Sequence, residues 1–185
     1  MILLLMIALI LVAGAEIYHH KTGPRHFAVV EDGILYRSAL LKPDNLKKVL
    51  DRYGIKTVVD LSADDVKKAD RHQVEARICR EKGVSWLSIP MAADTPPTDT
   101  QVNQWLTLFT PLRFYPILVH CSQGVVRTGM MVAIYEMEIK GMNNQQVFSR
   151  LPTFGHDWHE RVKKFILNYA PKLRVEKTQE NPGLS

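Results

Sequence analysis

The sequence predicts an α/β sandwich: a central, mostly parallel sheet of four to five strands flanked by helices. Three observations predict it. Short apolar runs alternate with helix-period segments from Phe27 to about residue 171. The run "PILVH" (residues 116 to 120) has the apolar character of a middle strand covered on both faces. The stretch from Arg127 to Lys140 is apolar at almost every position, so its helix is expected at the centre of the fold. A chain of 185 residues, 46% of them hydrophobic, supports one domain of ordinary size with a real core.

The elements follow in order. "FAVVEDGILYRS" reads as two short strands around the turn pair Asp32-Gly33. "KPDNLKKVLDRYG" reads as a helix with Pro43 in its first turn, an apolar face of Leu46, Val49, Leu50 and Tyr53, and Gly54 as its stop. "KTVVDL" is a buried strand. "ADDVKKADRHQVEARICREKG" is a more polar helix that ends at Gly83, and "VSWLSIPM" is the next strand. After the loop "MAADTPPTD", Thr98 and Gln101 fit a capping box that opens a helix with Val102, Trp105, Leu106 and Phe109 on one face, closed by Pro111. The strand "PILVH" and the helix from Arg127 come next, and Gly141 ends that helix. Two further helices carry Val147, Phe148 and Leu151, then Trp158, Val162, Phe165, Ile166 and Tyr169. The expected organisation is an apolar segment plus link over 1–23, a catalytic domain over 24–171 and a polar tail over 172–185.

"MILLLMIALILVAGA" carries no charge over its 15 residues and falls short of the roughly 20 that a span needs. It fits the apolar region of an export signal, with Ala13-Gly14-Ala15 as a small-residue cleavage site. No basic residue precedes it, however. Lys21 and Arg25 follow it, which suits an uncut anchor with its domain on the cytoplasmic side. A buried core helix is the third reading. The first two place the protein at the cell envelope, exported or membrane-anchored, with residues 1–15 as the membrane-associating part. The net charge of +5 suits either a solvated basic surface or a field for anionic ligands. Two cysteines exclude a disulfide scaffold or a paired-CxxC zinc site.

The chemistry lies in "VHCSQGVVRTG" (residues 119 to 129). A strand that passes through a glycine-containing loop into a helix N-terminus builds an anion site, because successive backbone N–H groups and the helix dipole face inward. Arg127 adds a planar fork for two phosphate oxygens. Cys121 lies at the floor of this cradle. Its pKa is expected to be lowered, leaving a thiolate placed to attack phosphorus. A lone strand-end cysteine is ordinarily a packed small hydrophobe, and a lone helix-start arginine is ordinarily solvated. The combination His-Cys-x5-Arg-Thr-Gly is far rarer than either.

On these residues the chain resembles the cysteine-dependent protein tyrosine phosphatases. The surrounding chain looks like the compact dual-specificity branch, with its three-layer sandwich. "LYRSALLKPDNLKKVLDRYGIKTVVDLS" is similar to the N-terminal part of small bacterial members, some of them periplasmic. The resemblance covers about residues 30 to 170. It implies Cys121 as nucleophile and Arg127 as the phosphate-binding group that stabilises the transition state. It implies a cradle of N–H groups from Ser122, Gln123, Gly124, Val125, Val126, Arg127 and Thr128. Thr128 would help the thiolate form and leave, and His120 would orient the nucleophile through hydrogen bonds. A general acid on an upstream loop is also implied. Asp94 in "MAADTPPT" is the best match, with Asp99 better explained as a first-turn helix residue.

The implied reaction is dephosphorylation of protein phosphotyrosine, with phosphoserine and phosphothreonine as further substrates. It needs no cofactor and no metal, and no nucleic-acid partner is expected. An inositol phosphate or phosphoinositide phosphatase on the same machinery is the alternative, although the loop interior lacks the lysines of many such relatives. A silent phosphate-binding module and a rhodanese-like sulfur transferase are the remaining alternatives. Val126 stands where large tyrosine-specific members carry glycine. His156 and His159 have a spacing that can share a helix face but no adjacent partner to complete a metal site. Cys79 is expected to pack in the core. Its alternative is a reversible disulfide with Cys121.

Overall fold

A computed structural model describes residues 23–62, 68–93, 95–156 and 160–172, together with Met6. Its sheet runs in the order β1-β2-β5-β3-β4. The strands are β1 (Ala28–Glu31), β2 (Leu35–Ala39), β3 (Thr57–Asp60), β4 (Ser85–Ser88) and β5 (Ile117–Cys121). β1 pairs antiparallel with β2 across the Asp32-Gly33 turn, and every other pair is parallel. The expected mostly parallel sheet of up to five strands is therefore present, with the hairpin supplying its one antiparallel edge. Gly33 takes a φ of 72°, its N–H donates to the Tyr36 hydroxyl at 2.8 Å, and that hydroxyl donates to Asp32 at 2.6 Å.

Side chains of β5 alternate across the sheet, as strand geometry requires. Ile117, Val119 and Cys121 join Leu35 and Val59 on one face, while Leu118 joins Tyr36 and Val58 on the other. Helices α1 (Pro43–Tyr53) and α2 (Ala69–Glu81) cover the second face with Leu46, Val49, Leu50, Ile78 and Cys79. The first face is covered by α3 (Asp99–Thr107), α4 (Val126–Glu138), α5 (Asn144–Arg150) and α6 (Glu160–Asn168). The capping box at Thr98 forms with both of its hydrogen bonds, and α1 stops at Gly54 in the left-handed conformation. Residues 129 to 138 of α4 are all buried, which makes it the central helix of its layer.

Two expectations change, and others fall on residues outside the described part. The central helix begins at Val126, not Arg127, because Gly129 N–H already donates to Val125 O at 2.7 Å. The polar helix is described only from Ala69, since residues 63–67 lie outside the described part. Trp158, assigned to the last helix, lies outside it as well, as do His159 and residues 1–5 and 7–22 of the apolar segment and link. A Cys79–Cys121 disulfide does not fit this fold, because the two thiols belong to clusters on opposite faces of the sheet.

The parallel register aligns the strand ends. Ala39 lies opposite Cys121, and Asp60 lies opposite His120. The loops that leave β2, β3, β4 and β5 therefore share one edge, the edge at which open parallel sheets bind ligands. The layer that backs this edge is fastened by Trp105. It is fully buried, donates from Nε1 to Met131 O of α4 at 2.8 Å, and meets Phe109 edge-to-face at 4.7 Å. Trp105→Ala is expected to lower unfolding stability by about 3–5 kcal/mol, the usual cost of emptying a buried aromatic site, as read by urea denaturation.

Candidate active site

β5 delivers Cys121 as its last residue, with 2% of its surface exposed, and the chain then turns through Ser122–Val125 into α4. Gly124 makes that turn possible. It adopts a φ of 72°, and a Cβ there would lie 2.5 Å from Ala39 N, with Ser38 O closer still. The loop thus lies directly on the backbone that ends β2. Leu40 N–H donates to Cys121 O at 2.9 Å from the same segment.

The thiol is surrounded by donors. Gly124 N–H points at Sγ from 3.2 Å. Burial alone would raise the pKa of Cys121. The Thr128 hydroxyl and N–H, the Arg127 charge and the Gln123 N–H outweigh it and bring the pKa below its ordinary value. The Thr128 hydroxyl is fully buried within the first turn of α4, where it helps to lower the thiol's pKa. Arg127 sits one residue into α4. Its Nη1 donates to Met91 O at 3.1 Å and reaches Leu61 O at 3.5 Å, which ties the loops after β3 and β4 to the mouth of the cradle. Ser122, Gly124 and Val125 are buried within the loop, Gln123 is exposed, and Val126 is intermediate.

Asp94 lies outside the described residues. The chain is anchored on both sides of it. Met91 O meets Arg127 on one side, and on the other Gln101 of the capping box donates to Pro90 O at 2.6 Å. Asp99 lies in the first turn of α3 and pairs with Lys172 at 2.9 Å.

His120 differs from what the resemblance implied. Because strand residues alternate, its ring turns to the face opposite Cys121 and bonds the Glu75 carboxylate instead of the thiol. Nε2 lies 2.9 Å from Glu75 Oε2, and Nδ1 lies 3.9 Å from Asp60 Oδ1, too far for a hydrogen bond. Trp86 Nε1 donates to the same Glu75 oxygen at 3.1 Å. Asp60 accepts from Ser62 N–H and Oγ at 2.8 and 3.0 Å, and its other oxygen is 2.5 Å from His72 Nδ1. Burial pulls the His120 pKa down, but Glu75, then Asp60 and Cys121, raise it on balance to about 9. That value keeps the ring an imidazolium at neutral pH, on the sheet face opposite the nucleophile.

This network was not anticipated from the sequence. Its available signals were Asp60, the last residue but one of "KTVVDL", and the His72-x-x-Glu75 spacing, which puts both on one face of α2. Asp60, Glu75 and His120 also bring one donor atom each within 4.8 Å of one another, a geometry a cation could use. Hydrogen bonds inside the cluster already engage those oxygens. Cys79 sits on α2 with its thiol pushed up to about 12 by burial, then by Glu75, which makes it inert at neutral pH.

A low-pKa cysteine under inward N–H groups, with an arginine at the following helix start and a parallel sheet behind, defines a cysteine-dependent phosphatase. The chain belongs to the DSP-PTPase phosphatase family described as fused to NAD+ kinase, whose pattern matches residues 28–165. Among curated relatives, it is 27% identical to the inositol diphosphatase DSP3 of Arabidopsis thaliana over 146 residues, which is 77% of this chain and 69% of DSP3. It is 31% identical to the dual specificity protein phosphatase TpbA of Pseudomonas aeruginosa over 117 residues, 63% of this chain and 49% of TpbA. It thus spans about half the length of TpbA. The crystal structure of TpbA superposes with a TM-score of 0.61 at 27% identity, covering 78% of this chain and 86% of that one. The catalytic core of the PP-IP phosphatase SIW14 from S. cerevisiae shares the fold, with a TM-score of 0.68 at 19% identity over 86% of this chain and 94% of its own.

Two outcomes are expected from this geometry. Gly124→Ala should remove phosphatase activity, because a methyl group there must displace the end of β2 or the loop. Activity and a circular dichroism melt measured on one sample test this, and wild-type turnover would contradict it. Glu75→Gln should flatten the pH dependence of stability. A His120 pKa raised above its unfolded value contributes stability that is whole below about 6.5 and is lost as pH rises through about 9. Urea midpoints measured from pH 6 to pH 10 should therefore fall in the wild type and change little in the variant.

Proposed function

We propose that the protein hydrolyses phosphate monoesters through a phosphocysteine intermediate. The substrate is phosphotyrosine in proteins, with phosphoserine and phosphothreonine also accepted. The observation that carries this is the lowered pKa of Cys121 beneath the Gly124 N–H and the Arg127 charge. The loop N–H groups and Arg127 hold the phosphate. Cys121 Sγ attacks phosphorus as the ester oxygen departs, and that oxygen takes its proton from Asp94. A water then attacks the phosphocysteine, gives its proton to the Asp94 carboxylate, and releases inorganic phosphate and the thiolate. The anchored segments around Asp94 support its role, because Met91 O ties the start of its loop to Arg127.

The inositol phosphate reading has one observation in its favour. A groove of about 930 Å³ adjoins the loop through Leu40 and His26 and is lined by Arg25, Lys42, Lys48 and Arg71, with Asp44 as its carboxylate. The relatives DSP3 and SIW14 are named for inositol diphosphatase and PP-IP phosphatase activity, while a TpbA structure is a complex with pTyr. The lysine-free loop interior and the match to TpbA support phosphotyrosine. Nucleic acid is not proposed as a partner. The apolar residues 1–15 support a place at the cell envelope, exported or anchored, with that segment associating with the membrane. Among the described residues no helix is long and apolar enough to cross a membrane.

Initial rates of residues 21–185 on phosphotyrosine peptide, phosphoserine peptide and soluble inositol phosphates test the substrate class. A preference for the inositol phosphates would replace the first reading with the second. Cys121→Ser should abolish turnover, and Arg127→Lys should reduce it severely, because an ammonium cannot reproduce the two-pronged contact. Asp94→Asn should slow phosphotyrosine peptide turnover by about 100-fold while slowing an activated aryl phosphate less, since that phenolate leaves without a proton. Asp99→Asn should leave both rates near wild type. The reverse pattern would move the acid to Asp99.

A further inference from the structure

The outer side of the phosphate loop is held as closely as its inner side. Gln123 O accepts a hydrogen bond from His26 Nδ1 at 2.6 Å, and a carbonyl oxygen can only accept, so Nδ1 carries the proton. Gly124 O accepts from Arg37 Nη2 at 2.8 Å. The same nitrogen reaches Val125 O at 3.5 Å, where the main donor is Gly129 N–H. In a trans peptide the carbonyl and the next N–H point in opposite directions. A carbonyl fixed outward therefore fixes the following N–H inward. The first of these pairs can be checked directly: with Gln123 O held by His26, Gly124 N–H faces Cys121 Sγ at 3.2 Å. By the same geometry, Arg37 on Gly124 O aims the Val125 N–H into the cradle.

The two donors are joined by a third side chain. Phe154 stacks on His26 with ring centres 4.6 Å apart and planes 13° from parallel, and Arg37 Cζ lies 5.4 Å from the Phe154 ring centre. His26 and Phe154 hold φ values of 52° and 51°, the two non-glycine residues at positive φ among those described. Backbone strain of this kind persists where the surroundings enforce it, and here it falls on two residues that touch each other beside the loop. Arg37 is 1% exposed, and its Nε and Nη1 have no hydrogen-bond partner. An incompletely paired guanidinium is costly to bury, so its retention at this point in β2 calls for a return elsewhere.

We propose that Arg37, His26 and Phe154 form an external clasp that positions the phosphate loop, turning its carbonyls outward so that its N–H groups converge on phosphate. They are positioning residues and touch neither phosphate nor the reacting atoms. The clasp joins the chain before β1, the strand β2 and the segment after α5 around one loop. The inference rests on reading residues 121–128 as a phosphate cradle.

The test is the rate of Cys121 alkylation by iodoacetamide against pH, with and without inorganic phosphate, in the full chain. Buried Cys79, with its pKa near 12, stays silent. In the wild type, phosphate should protect Cys121. Arg37→Met should raise the half-protecting phosphate concentration about 10-fold, the scale of one lost hydrogen bond to a charged group, and cut turnover about 100-fold through the displaced loop. Arg37→Lys should fall between these, and His26→Ala and Phe154→Leu should each weaken protection by about 3-fold. If Arg37→Met does not fold, Arg37→Lys and His26→Ala decide the matter. Variants with a lower melting temperature but wild-type phosphate protection would reduce the three residues to structural packing and overturn the clasp. A wild-type Cys121 that phosphate leaves unprotected would instead overturn the cradle, and the clasp with it.

Discussion

The α-carbon of Gly124 rests on the Ser38–Ala39 peptide so closely that no side chain can come between them. That contact fixes how the loop after β5 curls over the sheet. It needs β2 and β5 to be neighbours in parallel register, with Ala39 opposite Cys121, and it needs a residue that tolerates positive φ at the apex. Once it is made, the Gly124 N–H points at the thiol, Thr128 follows inside the first turn of α4, and Arg127 swings out toward the loops after β3 and β4. The chemistry of Cys121 follows from this one approach of two backbones.

The surroundings place charge on both sides of that loop. Behind β5, the buried His120 imidazolium is held between Glu75 and Asp60 on the α2 face. On the β2 side, Arg37 keeps its proton despite burial that lowers its pKa to about 10, helped by the attraction of Cys121 and Glu136. Neither cation is at the mouth where substrate enters. Their fields act through a low-dielectric interior, where they are screened less than surface charges would be. The thiol, which burial alone would keep protonated, has its pKa lowered by the Thr128 hydroxyl and N–H, the Arg127 charge and the Gln123 N–H, which outweigh desolvation.

The two faces of the sheet divide the work. The α3–α6 face packs Trp105, Met131 and the buried side of α4, which makes a rigid seat for the helix that begins at the loop. The α1–α2 face carries the polar network and the inert Cys79. Strand alternation alone separates Cys121 from His120 and Cys79, so the reactive thiol faces donors on one side while the titrating groups sit on the other.

The sequence alone determined the order of strands and helices, the capping box at Thr98 and the stop at Gly54, because these depend on local periodicity and backbone preference. It also determined which loop bears the chemistry. Cys121, Arg127 and Thr128 are close in sequence, so one strand-loop-helix unit brings them together. What only the tertiary structure decided involves residues far apart in the chain. The polar helix α2 buries His72 and Glu75 because the sheet delivers His120 and Asp60 to meet them, although its composition reads as solvated. Arg37 lies in a stretch read only as a strand, and no sequence pattern singles out His26 or Phe154. The parallel pairing of β2 with β5 brings the carbonyls of residues 123–125 within their reach. Pairing across such separations depends on the register of the folded sheet, and local periodicity carries no record of it.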